Sequence, residues 1–376
     1  MQQPENIPTV TLYGSPCSLY TGRARSYLIK NGIDYRETGP TSQHYEDHVL
    51  PAAGGRRGMP TIEFADGAVI RDSVAIVDYF EQEGGHPNSP QTPKHKIINR
   101  LLDVIAAEGM LRPAVHYRWN FPENEPLIQF QFEHMTPIDA AVEFTVEGRF
   151  AKMRQACIDL GVPEENHALV ESLYFDLVEK LDAHFANYPH LLGGRPSVAD
   201  FGLIAPMYGH LGRDIKPLSI LHEHGNWVLR WVERMNRPEP DVGEYENPLE
   251  DYFADDEIPD TLVDVLKQFA IDFVPETLAA CDANNEWLAS ENPAAGSEVP
   301  RVAGFGTFEV KGNVIHAGAQ PFRFYLLRRV LDEYEQLNES DRSDVTELLE
   351  RCDMLPVMEA KLTRDIGRDN NLEVWL

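Results

Sequence analysis

Cysteine is scarce in this sequence, and the few cysteines lie far apart. The 376 residues contain four of them, at Cys17, Cys157, Cys281 and Cys352, and no pair has CxxC or CxxH spacing. A disulfide framework and a cysteine-based zinc site are therefore not expected, and neither is any other metal. The simplest compartment for such a chain is the reducing cytoplasm.

Long apolar runs and basic charge are also lacking. No segment approaches the roughly 20 apolar residues that span a bilayer, and residues 1–6 lack the basic and apolar pattern of a secretory signal. Against 33 Lys and Arg stand 61 Asp and Glu, which gives a formal charge of -28 at pH 7. Because such a surface repels phosphate and anionic lipid, neither nucleic acid nor a membrane is expected as a partner.

The length of the chain exceeds one ordinary core, so two or three packed units are expected. In residues 1–85, β-branched and aromatic runs predict strands, and apolar periodicity after Ser15-Pro16 and Asp72-Ser73 predicts helices. The predicted strands are 10–13, 34–37, 61–64 and 68–71. The order β-α-β, then β-β-α, indicates a thioredoxin-like α/β domain.

The remainder of the chain is predicted to be mainly helical. A linker rich in turn-forming residues at 85–90 leads to an all-helical domain over 93–237, and a C-terminal extension of unknown role covers 238–376. Helices are predicted at 94–112, 138–160, 166–187, 197–212, 225–236, 259–290 and 320–337. A β-hairpin is predicted at 305–317, with Lys311-Gly312-Asn313 at its turn. The acidic stretch 239–260 is interpreted as a solvated connector.

Four short segments carry a family resemblance. They are LYGSPCSLY at 12–20, GMPTI at 58–62, IRDSVAI at 70–76 and LGGRPSVADF at 192–201. In order and spacing they resemble the cytosolic glutathione S-transferase superfamily, the first three its glutathione-binding domain and the fourth a core helix of its helical domain. The resemblance covers residues 9–237 and implies the same two-domain fold. The extension beyond 237 departs from the family.

Three residues near the first turn are candidates for activating a thiol. The free N–H groups and partial positive charge of a helix N-terminus stabilise a thiolate. The resemblance aligns Ser18 with the residue that meets the glutathione sulfur, although a plain helix cap explains a serine there as well. Cys17 is a rival reactive group, typical of thiol-transfer chemistry. Tyr13 is the third candidate, and its alternative role is packing within a strand.

The resemblance also assigns a set of glutathione-binding residues. These are Met59, Pro60, Asp72, Ser73 and Arg57. Pro60 matches the cis-proline of thioredoxin-like folds, beside which the Met59 backbone pairs with the cysteinyl part of glutathione; the alternative is an ordinary trans proline. Asp72 and Ser73 match the residues that hold the γ-glutamyl group, and capping alone explains the same residue types. Arg57, with its neighbour Arg56, is expected at the glycyl carboxylate or else in a solvated loop.

The function implied by the resemblance is that of an enzyme with glutathione as cosubstrate. It directs the glutathione thiolate at a small electrophilic substrate, and Tyr117, Trp119 and Phe121 are candidates for the wall of the electrophile pocket, unless they are core aromatics. The sequence does not select the reaction subtype. Two alternatives remain, a non-catalytic interaction module and a glutaredoxin-like thiol transferase that uses Cys17. Because relatives pair through the thioredoxin-like domain and the first two helices of the helical domain, a homodimer is implied.

Overall fold

The computed structural model describes residues 10–135, 145–239 and 242–376. It begins with a mixed four-stranded sheet in the order β2-β1-β3-β4, in which β1 is parallel to β2 and antiparallel to β3. The strands are β1 Val10–Tyr13, β2 Tyr35–Thr38, β3 Thr61–Phe64 and β4 Val69–Arg71. The predicted thioredoxin-like fold of this part is confirmed.

The two faces of the sheet have different partners, because successive strand residues point to opposite sides. Val10 and Leu12 pack against Leu28 on one face. Tyr13 packs on the other face, against Tyr45. The helices of this part are α1 Leu19–Lys30, α2 Leu50–Ala52 and α3 Ser73–Glu83. The sheet therefore places α1 and the Tyr13 ring on opposite sides.

The middle of the chain is helical, as predicted. Its helices are α4 Pro93–Val104, α5 Leu111–Trp119, α6 Glu125–Glu133, α7 Val146–Asp159, α8 His167–Phe185, α9 Val198–Pro206, α10 Ile215–His224 and α11 Asn226–Met235. Helix α4 continues into a π-helical turn at Ile105–Gly109, and α9 into another at Met207–Leu211. The helix predicted at 138–160 is observed from Val146. Residues 138–144 of that prediction lie outside the described ranges. Helices α6 and α10, and the part of α5 beyond residue 112, were not predicted.

The C-terminal region combines helices with two small hairpins. Its elements are α12 Asp260–Glu291, β5 Phe305–Val310, β6 Asn313–Gly318, α13 Pro321–Glu335, α14 Glu339–Arg351, β7 Ile366–Asp369 and β8 Leu372–Trp375. Helices α12 and α13 and the β5–β6 hairpin confirm the predictions. Helix α14 and the β7–β8 hairpin were not predicted.

One hydrophobic core joins the three predicted regions. Val77, Leu101 and Leu327, one from each region, belong to the same buried cluster. Helices α13 and α14 pack against α4, and Arg329 of α13 is ion-paired with Asp78 of α3. The domain limits at 85, 93 and 238 remain predictions, but the core is not interrupted at 238. In the part of the chain described here, no helix is long and apolar enough to cross a membrane.

The β7–β8 hairpin covers the edge of the N-terminal sheet. The side chain of Asn371, at the tip of the hairpin, accepts a hydrogen bond from the Arg71 N–H at 3.2 Å and donates to the Val69 carbonyl at 3.0 Å. Both are outward-facing backbone groups of the edge strand β4. On an uncovered edge, such groups are free to pair with a strand of another molecule. Gly54, at φ +82, makes room for the tip, since a Cβ there would lie 2.7 Å from the Asn370 carbonyl.

Candidate ligand-binding site

A cavity of about 270 Å³ lies beside the N-terminal sheet, slightly below the roughly 300–1,000 Å³ of typical small-molecule sites. One wall comes from the first turn of α1, the loop before β3, the end of β4 and the π-helical turn after α4. The residues of that wall are Tyr20, Arg56, Gly58, Met59, Pro60, Arg71, Asp72 and Glu108. We call this cavity the Pro60 pocket.

The peptide bond between Met59 and Pro60 is cis, as the resemblance implies. The Pro60 carbonyl accepts a hydrogen bond from the Asp72 N–H at 3.0 Å, which ties the loop to the start of α3. Among the described residues, no hydrogen-bond partner is found for the N–H or the carbonyl of Met59. Met59 is 37% exposed, so its backbone is available to an extended peptide.

Asp72 and Ser73 form the start of α3, and of the two only Asp72 lines the pocket. Asp72 has φ 84 and caps the helix, accepting a hydrogen bond from the Val74 N–H at 2.8 Å. Burial raises the pKa of the Asp72 carboxyl. The Ser73 hydroxyl is buried and has no hydrogen-bond partner within the described ranges. Together with the free N–H groups of the first turn, it leaves donors for a bound anion.

Glu108 is a pocket residue that sequence reasoning missed. It lies in the π-helical turn at Ile105–Gly109, and such turns are frequent at functional sites. Burial raises the pKa of Glu108 to about 8, so the group is mainly neutral at pH 7. The available signal was one acidic residue that follows the apolar run 104–107 within the helix predicted at 94–112.

Ser18 and Cys17 lie at the N-terminus of α1, but neither lines the Pro60 pocket. The residue of α1 that lines the pocket is Tyr20. The Ser18 hydroxyl oxygen accepts a hydrogen bond from the Thr21 N–H at 3.3 Å. The Cys17 sulfur is partly exposed and lies 3.4 Å from Nη1 of Arg213. The capping role and a role toward a ligand sulfur are compatible for Ser18.

Tyr13 does not line the Pro60 pocket. Its hydroxyl donates a hydrogen bond to Oε2 of Glu63 at 2.8 Å. Burial, followed by this hydrogen bond, raises the pKa of Tyr13. The structure thus places Tyr13 as a packed strand residue and does not bring it together with Met59, Pro60 and Asp72.

The two neighbouring arginines of the loop point in different directions. Arg57 pairs with Glu46, with Nη1 and Nη2 at 2.7 and 2.5 Å from the two carboxylate oxygens. Arg56 lines the Pro60 pocket instead. Its Nη1 lies 3.2 Å from Glu298 and 3.5 Å from Glu373, both in the C-terminal region. Of the two, only Arg56 lines the pocket, and a role of Arg57 in binding glutathione remains a prediction.

The three predicted aromatic pocket residues lie elsewhere. Tyr117 is buried in the main core and stacks on Phe121, with ring centroids 5.4 Å apart. Trp119 packs against Phe132 and Phe150. None of the three lines the Pro60 pocket, and their role at an electrophile site remains a prediction. Within the described residues, no group of three His, Cys, Asp or Glu side chains is arranged to hold a metal ion.

Comparison with known proteins identifies the N-terminal part. Residues 12–88 match the family model described as the glutathione S-transferase N-terminal domain. This range contains three of the four motifs, the cis-proline and the start of α3. The segment is therefore similar to a glutathione S-transferase N-terminal domain, and the predicted superfamily resemblance is confirmed for it. No curated protein matches the sequence.

Solved structures of related type resemble the chain more loosely. The beta-etherase LigF from Sphingobium sp. strain SYK-6 is 17% identical, and the match covers 61% of this chain and 95% of the LigF chain with a TM-score of 0.42. A GST-like protein from Pseudomonas syringae is 16% identical, with coverages of 84% and 97% and a TM-score of 0.42. The glutathione transferase URE2P6 from Phanerochaete chrysosporium, solved with oxidized glutathione, is 14% identical, with coverages of 61% and 90% and a TM-score of 0.32. At these identities and TM-scores, the solved structures do not establish a function for this chain.

Proposed function

We infer that the chain binds glutathione in the Pro60 pocket and directs its thiol at a small electrophilic substrate. One observation carries this proposal. The unpaired backbone of Met59, before cis Pro60, and the capped start of α3 at Asp72 face a single cavity. Both belong to the segment that matches a glutathione S-transferase N-terminal domain.

Two parts of glutathione, the cysteinyl and the γ-glutamyl part, have counterparts at the pocket. The cysteinyl backbone pairs with the free N–H and carbonyl of Met59. The γ-glutamyl ammonium lies toward the carboxyl groups of Asp72 and Glu108, and the γ-glutamyl carboxylate accepts from Ser73 and the free N–H groups of α3. The γ-glutamyl end carries both an ammonium and a carboxylate group. A site that recognises both therefore combines carboxyl groups with hydrogen-bond donors.

Ser18 is the candidate catalytic residue. Its oxygen accepts the Thr21 N–H, which leaves the hydroxyl hydrogen free for donation to a sulfur. Together with the positive end of α1, that donation would stabilise the thiolate over the thiol. The electrophile and the reaction subtype are left open, because the predicted aromatic wall does not adjoin the Pro60 pocket.

Calorimetric titration with glutathione tests the binding step. Asp72→Asn keeps an oxygen for the Val74 N–H and tolerates the left-handed backbone, but it removes the charge that faces the ligand ammonium. We expect about a tenfold loss of affinity, the equivalent of roughly 1.4 kcal/mol. Asp66→Asn, in the β3–β4 turn of the same domain, makes the same charge change and is the control. Absence of binding by the wild-type chain at millimolar glutathione would refute the proposal.

A second candidate function is thiol transfer by Cys17. The observation in its favour is the Arg213 guanidinium 3.4 Å from the sulfur, because positive neighbours are typical of reactive cysteines. Cys17→Ser and Ser18→Ala separate the two candidates. If thiol transfer is the function, Cys17→Ser abolishes reduction of a glutathione mixed disulfide; if it is not, only Ser18→Ala lowers turnover, and it does so on an electrophile.

A cytoplasmic homodimer completes the proposal, with one change from the sequence-based expectation. The family pairs through the thioredoxin-like domain and the first helices of the helical domain. In this chain, α13 and α14 pack on α4, and Arg329 of α13 pairs with Asp78 on α3. A homodimer therefore has to use a face other than the one formed by α3 and α4.

A further inference from the structure

The wall of the Pro60 pocket opposite the N-terminal domain comes from the C-terminal region. Its residues are Val299, Pro300, Arg301, Gln320, Phe322 and Glu373. The first three follow α12, Gln320 and Phe322 lie at the start of α13, and Glu373 lies on β8. The pocket is thus built from segments more than 200 positions apart.

Backbone hydrogen bonds hold this wall in place. The Val299 N–H donates to the Glu373 carbonyl at 2.9 Å, and the Trp375 N–H donates to the Ser297 carbonyl at 3.0 Å. Two residues beyond Arg301, the Ala303 N–H donates to the Ala319 carbonyl at 2.8 Å. The segment that carries Arg301 is therefore fixed on both sides, as a precise binding group requires.

One arginine of the pocket, Arg301, has no ion pair with a described carboxylate, although the charges of Glu298 and Glu373 act on it from further away. Glu373 lies 3.0 Å from Arg71 and 3.5 Å from Arg56. Arg301 donates only to the Arg57 carbonyl, at 3.2 Å, and none of the described carboxylates lies within ion-pair distance of it. Partial burial, followed by the charges of Arg56 and Arg71, lowers the pKa of Arg301. An anion bound here would relieve the repulsion among the three guanidinium groups.

We propose that Arg301, supplied by the C-terminal region, binds the glycyl carboxylate of glutathione. The inference rests on the proposed function and adds a binding group from outside the matched domain. Arg301 lies beside the 56–57 loop, where it donates to the Arg57 carbonyl, and it lines the pocket together with Arg56. When the γ-glutamyl end lies at Asp72 and the cysteinyl part at Met59, the glycyl end points toward Arg56 and Arg301.

The test compares glutathione with its glycyl monoethyl ester, in which that carboxylate is neutral. Calorimetry is carried out on the full chain, on Arg301→Gln and on Arg301→Lys. We expect Arg301→Gln to lose about tenfold in affinity for glutathione, the size of a lost charge-assisted bond, and less than twofold for the ester. Arg301→Lys keeps the charge and should regain part of the loss. The control is Arg351→Gln, which makes the same charge change where Arg351 pairs with Asp260 at the surface.

The outcomes distinguish this inference from the proposed function. Unchanged glutathione affinity in Arg301→Gln, or an equal loss for glutathione and the ester, overturns the role of Arg301 while glutathione binding stands. A wild-type chain that binds neither compound overturns the proposed function itself. Thermal melting of each variant establishes that the exposed substitution leaves the fold intact.

Discussion

For the single residue Glu108, burial determines the protonation state of the side chain. It is 5% exposed, and its pKa of about 8 results from burial, with Arg323 opposing the shift. In the unfolded chain an ordinary glutamate has a pKa near 4.3. Between these two values the folded chain holds a proton that the unfolded chain has released. Because the unfolded state binds fewer protons, stability falls as the pH rises through this window.

Glu108→Gln should remove this pH dependence. Relative to wild type, we expect the variant to be of similar stability at pH 4, where both side chains are neutral, and more stable by a few kcal/mol at pH 9. The measurement is the free energy of unfolding by denaturant at pH 4, 6.5 and 9. Asp66→Asn at an exposed turn is the control. A difference between variant and wild type that stays constant with pH would contradict the assignment.

Ser18 allows its capping role to be separated from its chemical role. Ser18→Ala removes both the cap and the hydroxyl and should cost about 1 kcal/mol of stability, whereas Ser18→Gly removes the hydroxyl at a cost of a few tenths of a kcal/mol. If Ser18 activates the thiol, both variants lose turnover to a similar degree, despite their different stabilities. The readouts are kcat with an electrophile and the melting temperature. If the loss of turnover in each variant instead matches its loss of stability, Ser18 acts only as a helix cap.

At the scale of elements, the segments predicted from sequence are those with strong local signals. Strand β1 and helices α1 and α3 have clear runs, periodicity and caps at Ser18 and Asp72, so their positions follow from neighbouring residues. Helix α14 is mostly polar, and charged residues or glycine occupy three of the four positions in β7 and one in β8, so none of these elements gives a distinct local pattern. The turn Asn370-Asn371, with both φ values positive, was the one overlooked hairpin signal.

The docking of the β7–β8 hairpin is testable at its tip. Asn371→Ala removes hydrogen bonds to Ala52, Val69 and Arg71 and should cost about 1–3 kcal/mol of unfolding free energy. Asn370→Ala is the matched control, since it loses an asparagine at the same turn, also at positive φ, without those bonds. Hydrogen exchange of the Arg71 amide should accelerate only in Asn371→Ala. Equal effects of the two substitutions would mean that turn conformation alone matters.

At the scale of the whole molecule, the regions share one core. The sequence predicted their order but not how the C-terminal region packs, because its contacts depend on surfaces that form only in the folded state. The half of the Pro60 pocket around Met59 and Asp72 was predictable from local motifs. The half around Arg301 and Glu373 was not, since no local pattern connects these residues with a loop more than 200 positions earlier.

A shared core predicts a single unfolding transition. Leu327 of α13 is fully buried in the same cluster as Leu101 of α4, so Leu327→Ala should cost about 2–5 kcal/mol. Urea curves from tryptophan fluorescence and far-ultraviolet circular dichroism should coincide and shift together. Leu249→Ala, at a residue 42% exposed, is the control. Separate transitions for the two signals would show that the C-terminal region unfolds independently.

The hairpin that covers β4 also has a consequence for synthesis. A ribosome that has completed the first 300 residues has made the whole N-terminal sheet, yet the partner of that sheet's edge is still untranslated. The hydrogen bonds of Arg71 with Asn371 can form only after residue 371 has been synthesised. A nascent chain thus carries an open sheet edge for most of its elongation, and early termination would leave molecules prone to pair with one another at that edge.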